Sequence, residues 1–283
     1  MADEMMQRPP LDRAVRWISS RSSWELFGLF LVWFVFWTGL IYLALDAIVA
    51  DQHQEGLAQI AAPLMTAFGA LFAFLTAFVI TIEWNQHRDV EQTIGLEADA
   101  CVRLIWASGS PGCDGPKTRA QLLEYLRSVR QDEWPTLAMG ADGCDSTHAL
   151  MTSLQHHVRT MAAADAVHPS AATDLTKAAD AMAVTRADRL NAAGHDLPTP
   201  LFLLAFVSGV MLILNSVALS LHLERGYSIV IGGLVVLIAM DLALLVALSS
   251  PFTGTLRVHG RALARLLNDL ESGVYDGTGE TQS

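Results

Sequence analysis

Two ionisable side chains in or at the ends of long apolar runs are the residues here most suited to chemistry. Asp241 falls in the middle of the run Tyr227 to Leu248, and Glu83 closes the run Leu57 to Ile82. Charge is costly in hydrocarbon, so such residues mark an ion path, a proton relay or a bond between helices. Asp241 is therefore either a pore-facing, ion-coordinating carboxylate or a protonated or hydrogen-bonded residue between helices, with Asn215 as a candidate partner. Glu83 either contributes to a ring of charge at a pore mouth or pairs at the interface with Arg88 or another residue. Elsewhere the sequence lacks a catalytic signature: no phosphate-cradling Gly loop, no HExxH, no GxSxG and no paired-cysteine motif. His156 and His157 are adjacent and point apart on a helix, so they suit a solvated face better than one shared ion. Asp142, Asp145 and His148 lie close together, and Asp145 is expected to cap a helix rather than bind metal. Cys101, Cys113 and Cys144 are an odd set at irregular spacing, expected as free thiols. No catalytic residue, cofactor or metal is expected, and the protein is not expected to be an enzyme.

The elements that hold these residues are helices. Leu26 to Leu45 is uncharged over the roughly twenty residues a bilayer core demands, with Trp33, Trp37 and Tyr42 among them. Asp51 to Glu55 is expected as a short acidic loop. A second span runs from Leu57 to Ile82, and no Pro or Gly falls between Gly69 and Gly95, so it should run on unbroken into a water-facing helix. There Val90, Ile94, Ala98, Cys101 and Ile105 recur at helical spacing. After a loop at Ser108 to Pro116, Asp114 is a candidate cap and Pro116 suits a first turn. That helix should turn Leu122, Leu123, Leu126 and Val129 inward and end by Trp134-Pro135. Helices at His148 to Val167 and Ala171 to Ala193 follow. The third span is Leu201 to Leu223, interrupted by Asn215 and Ser216, and the fourth is Tyr227 to Leu248. A short amphipathic helix is expected at Gly260 to Leu270, another at Leu11 to Trp24, and disorder at residues 1–10 and the last ten.

Only 17% of the chain is charged and 52% is hydrophobic, against about 25% charged in soluble domains. A net charge of −11 argues against a nucleic-acid partner, which wants a basic surface. The first apolar run begins too late and is too long for a signal peptide, and is expected to be retained. Arg8, Arg13, Arg16 and Arg21 precede the first span, Arg88 and Arg103 follow the second, and Arg257, Arg261 and Arg265 follow the fourth. By the positive-inside rule both termini and the central helices belong in the cytoplasm. The expected organisation is a cytoplasmic segment 1–25, spans one and two in 26–84, a cytoplasmic helical domain 85–199, spans three and four in 200–250, and a cytoplasmic segment 251–283. Along the second span Ala62, Thr66, Ala70, Ala73 and Ala77 form a stripe of small residues, a pattern more often a packing face than a pore.

Several short motifs occur in a telling order. They are Trp84-Asn85-x-His87-Arg88-Asp89-x-Glu91 with Glu97 beyond it, Glu133-Trp134-Pro135, Arg186-x-x-Arg189-Leu190, and Pro251-Phe252-x-Gly254. With two spans, a helical domain and two more spans, this order resembles the bacterial bestrophin-like membrane proteins, relatives of bestrophin ion channels, over roughly residues 25–260. The resemblance implies an all-α, polytopic fold in a bacterial inner membrane, a homo-oligomer (a pentamer in bestrophins), inorganic ions as cargo, and a pore lined by the second span. Gly69 matches a family glycine, and the neck falls on Ala70, Phe74 and Phe78. The chain departs from bestrophins at Ala70, where they carry a larger apolar residue, and at Val79, where they carry Arg. It also has Thr253 to Leu256 in place of their acidic, calcium-gating run. The alternative is a non-conducting scaffold or sensor of the same fold whose cytoplasmic helices bind a partner.

Overall fold

The computed structural model describes residues 23–48, 51–138, 143–193, 199–221, 227–249, 252, 257–258 and 260–275. Expectations for residues 1–22, Gly140 to Asp142, the break from Gly194, the turn Glu224 to Gly226, Pro251, Thr253 to Leu256 and the last eight residues fall outside them. Every regular element among the described residues is helical. In chain order they are α1 (Ser23–Ile48), α2 (Asp51–Ser108), α3 (Gly115–Ser128), a π-turn (Val129–Glu133), α4 (Trp134–Ala138), α5 (Asp145–Ala162), α6 (Pro169–Ala193), α7 (Thr199–Ser220), α8 (Tyr227–Leu248) and α9 (Arg261–Glu271). The described residues divide into two compact units, one drawn from residues 1–85 and 196–257, the other from 86–195 and 258–283.

The first unit holds the apolar helices. Four helices are long and apolar enough to cross a membrane: α1, α2, α7 and α8. The second is a single helix of 58 residues, far more than the roughly 20 that cross a bilayer core. Asp51 to Glu55, expected as a loop, is its first turn. Gln52, Gln54 and Glu55 in that stretch favour helix over loop. Helix α1 packs on α7 and α8. Phe34, Phe72, Val79, Leu212, Val217, Ile238 and Leu242 share one apolar cluster.

Helix α7 runs antiparallel along the first half of α2, and small residues set the spacing. A Cβ added to Gly209 would stand 3.1 Å from Phe72 and 3.2 Å from Ile238. Further along, Leu212 lies 3.9 Å from the place a Gly69 Cβ would take. Beyond that, the Ser216 hydroxyl, bonded to the Leu212 carbonyl at 2.9 Å, touches the Met65 sulfur at 3.3 Å, and the Asn215 amide donates to the Ala61 carbonyl at 2.8 Å. Small residues let membrane helices approach, and polar groups buried in hydrocarbon need such partners.

The second unit is an amphipathic bundle. Val90, Ile94, Ala98, Cys101 and Ile105 are all buried, as their spacing predicts. Asp114 caps α3 by accepting the Lys117 N–H at 3.2 Å, and Pro116 occupies the first turn. Leu122, Leu126 and Val129 are buried, and Leu123 is half-buried. Helix α5 packs on α6 and α3, and α9 packs on α3, where Arg127 pairs with Glu271 at 3.0 Å. All three cysteines are free.

Two local expectations change. Helical structure does not end at Trp134-Pro135. It widens into the π-turn, closed by the Trp134 N–H on the Val129 carbonyl, and then continues to Ala138. A π-turn shifts the bonding by one residue, which accommodates a proline that has no N–H to give and crowds the preceding turn. Asp145 is not the cap of α5. Cys144, extended at φ −125° and ψ 130°, holds that place without a side-chain capping bond, its Sγ lying 3.1 Å from the Ser146 hydroxyl. Asp145 is the first helical residue, where its charge favours the positive end of the helix dipole.

The α2–α7 approach has a direct test. Gly209→Val forces Cβ and two methyls against Phe72 and Ile238 and should cost about 1–3 kcal/mol, as overpacking does. A thermal midpoint of the detergent-purified protein unchanged by Gly209→Val would show that the helices can separate without loss.

Candidate functional site

The positions expected to form a neck lie on one exposed face of α2 in the first unit. Ala70 is exposed, as are Phe74 at 67% and Phe78 at 46%. The two phenyl rings sit one turn apart and stack in parallel, with centroids 6.2 Å apart and planes 7° from each other. Ala62, Thr66, Ala73 and Ala77 are exposed too. Phe72, Leu75, Thr76 and Val79 are buried. The helix therefore packs one face within the first unit and leaves the other, small residues and phenyl rings together, exposed. Thr81 continues that exposed face and satisfies its hydroxyl on the Ala77 carbonyl at 2.7 Å.

The two ionisable residues are placed differently. Glu83 is buried, at 2% exposure. It lies nine residues beyond Phe74, about two and a half helical turns, and so on the opposite side of α2. Asp241 is half-buried on α8. Asn215, its candidate partner, gives its amide to the Ala61 carbonyl instead. That bond satisfies the buried amide in a medium that offers no water in its place.

The second unit contains a constellation that spacing could not reveal. Glu97 from α2, Glu133 from the π-turn, and Arg186 and Arg189 from α6 meet in its interior. Arg189 donates from Nε to Glu97 Oε2 at 2.7 Å and from Nη2 to Glu97 Oε1 at 3.2 Å. The same Nη2 donates to Glu133 Oε1 at 2.7 Å. Arg186 Nη2 donates to Glu133 Oε2, and its Nη1 lies 3.4 Å from His148 Nδ1. Tyr125 from α3 donates its hydroxyl to Glu97 Oε1 at 2.6 Å. Glu97, Glu133 and Arg189 are fully buried. The Arg189 guanidinium also lies 5.4 Å from the centre of the Trp134 ring, within cation–π range. A Cβ on Gly260, which has φ +56°, would stand 2.7 Å from Trp134. Only glycine takes that backbone and that proximity together.

The electrostatics are balanced, two carboxylates against two guanidinium groups. Burial alone would lower the Arg189 pKa. The Glu97 charge and its hydrogen bonds, then Tyr125 and Glu133, more than reverse this and raise it. Burial, reinforced by the Glu97 charge, pushes the Tyr125 phenol well above its ordinary value. Charge compensation and full engagement of both carboxylates suit a structural lock. Among the described residues no group of three His, Cys, Asp or Glu is placed to hold a metal ion. His157 reaches the Thr118 hydroxyl at 3.3 Å, while His156 is exposed.

Architecture and surface together define a four-span, all-helical membrane protein. A family model described as the bestrophin-like domain matches residues 32–263. The chain belongs to the bestrophin-like family. None of the curated proteins matches it. Of the motifs that carried the resemblance, Glu97, Glu133, Trp134, Arg186 and Arg189 converge in the buried cluster. Phe252 is buried, whereas Trp84, Asn85, Arg88, Asp89 and Glu91 are exposed.

Two measurements test the cluster. Arg189→Met strands two buried carboxylates without their shared cation, and should cost about 3–5 kcal/mol. Arg189→Lys should recover little, since an ammonium cannot reproduce the fork. Equal denaturation midpoints for wild type and Arg189→Met would show that the pairs carry no stability. In the folded protein the raised Tyr125 pKa keeps its proton where the unfolded chain loses one. Its contribution to stability is full below about pH 10 and declines as pH rises further. Alkaline titration of tyrosine absorbance should show a step coincident with unfolding, absent in Tyr125→Phe.

Proposed function

We propose that this protein is an oligomeric ion channel of the bacterial inner membrane whose pore is lined by the first half of α2. The observation that carries this reading is the exposed face of Ala70, Phe74 and Phe78 alongside Ala62, Thr66, Ala73 and Ala77. A lipid-facing helix has little use for a continuous stripe of alanines. Small residues are valuable where a second helix must come close, and phenyl rings one turn apart are suited to a narrow, dewetting constriction. Copies arranged as a ring, five by resemblance to bestrophins, would bring these faces around one axis. Ions would then pass a neck at Phe78, Phe74 and Ala70, widest at the alanine. Glu83 lies at the mouth of that path but on the far side of α2, so it would act on ions through its field rather than by contact. Asp241, on α8, is the ionisable residue within the fourth span, where it would meet ions or bond a neighbouring helix. Basic residues beside the spans support a cytoplasmic location for both termini and for the helices from α3 to α6.

The test is ion flux into liposomes carrying the purified protein. Phe74→Ala and Phe78→Ala each remove a ring from the constriction and should raise flux several-fold, with the double variant leakier still. A purified oligomer that passes no ions under any salt condition would replace this reading with a membrane scaffold or sensor that works through its cytoplasmic helices.

A further inference from the structure

Helix α2 carries one proline, Pro63, inside the helix and before the neck. A proline there has no N–H, so the Gln59 carbonyl one turn earlier loses its helical donor, and the ring crowds the same turn. Within hydrocarbon no water replaces that bond, which makes this the weakest turn of the span. Two neighbouring residues of α7 bracket it. The buried Asn215 donates its side-chain amide to the Ala61 carbonyl, two residues before Pro63, at 2.8 Å. The Ser216 hydroxyl, whose one proton goes to the Leu212 carbonyl of its own helix at 2.9 Å, also touches the Met65 sulfur, two residues after Pro63, at 3.3 Å. The Asn215 bond joins positions 154 residues apart in the chain, so it is not a by-product of local helix geometry. Beyond them Leu212 meets Gly69 and Gly209 meets Phe72, which fixes the neck portion of the helix by packing alone.

We infer that Asn215 and Ser216 form a clamp across Pro63 that holds the outer end of α2 in line with the neck, and that releasing it lets α2 hinge there. Asn215 is a positioning residue: it acts on the neck through α2. The clamp stands on this geometry by itself. Only its consequence for ion flow rests on the pore reading, where hinging at Pro63 changes the width of the path above Ala70.

The experiment uses the full chain in liposomes, with hydrogen exchange read by peptide and ion flux read in parallel. Asn215→Leu removes the amide and keeps the bulk. It should raise exchange over residues 57–66 about three- to tenfold, the range one interhelical hydrogen bond in a membrane bundle supports, while α1 and α8 keep their protection. Ser216→Ala should raise it in the same window by less, and serves alone if Asn215→Leu does not fold. Adding Pro63→Ala restores the missing N–H, and should return exchange in the double variant towards the wild-type value. A merely structural Asn215 would loosen all four spans together, and Pro63→Ala would not reverse that. The clamp is overturned by unchanged exchange over residues 57–66, or by a double variant no more protected than the single one. Flux should shift with Asn215→Leu and recover in the double variant. A wild-type protein with no flux overturns the pore reading alone, and the exchange results still decide the clamp.

Discussion

The arrangement of the second unit depends on one buried cluster of four charges. Glu97, Glu133, Arg186 and Arg189 come from three separate stretches of chain, and none could be buried without the others. A lone carboxylate or guanidinium in such a place would cost several kcal/mol. Together they engage all four carboxylate oxygens, with Tyr125 adding a second donor to Glu97 Oε1, while Arg186 Nε and Arg189 Nη1 stay buried without a hydrogen bond. Apolar packing tolerates small slips of one helix along another. A forked guanidinium between two carboxylates does not, because its donors lie at fixed angles. The cluster therefore sets register among α2, the π-turn and α6, while Val90, Ile94, Leu122 and Leu126 supply burial. It also accounts for the irregular backbone nearby: the π-turn delivers Glu133 inward ahead of Pro135, and Gly260 leaves room for the Trp134 ring beside Arg189.

In the first unit the governing constraint is the medium. Trp24, Phe36, Ile60, Leu203, Ile229 and Leu237 are exposed, which a water-soluble surface would not tolerate in such number. With apolar solvent outside, hydrophobicity no longer says which face of a helix turns inward. Small residues and polar bonds decide instead. On α7 these are Gly209, Ser216 and Asn215. They hold the side of α2 that bears Phe72 and Met65, and so leave the side that bears Ala70, Phe74 and Phe78 unoccupied within the protomer.

Much of the fold was legible in the sequence. Four apolar runs of spanning length have few other ways to exist, and an unbroken helix through Glu83 follows from the lack of Gly and Pro there. Periodic apolar positions from Val90 to Ile105 marked a buried face, and Asp114 and Pro116 marked a helix start. The errors were local. A segment as short as Asp51 to Glu55 carries too little pattern to separate loop from first turn. Trp134-Pro135 looked like a stop because a π-turn has no signature in composition.

By itself the sequence determined the medium, the helical class and the family, since these follow from runs and motif order along the chain. Tertiary structure alone decided which distant residues meet. Glu97 and Arg189 are separated by most of a unit in sequence, and their pairing depends on how three helices pack. Asn215 could have bonded Asp241 or a backbone carbonyl, and only the approach of α7 to α2 chose Ala61. Glu83 and Phe74 belong to one apolar stretch in the sequence, yet one is buried and the other exposed. Helical phase was readable from the chain, but which phase faced the protomer was not, because in a membrane both sides are apolar.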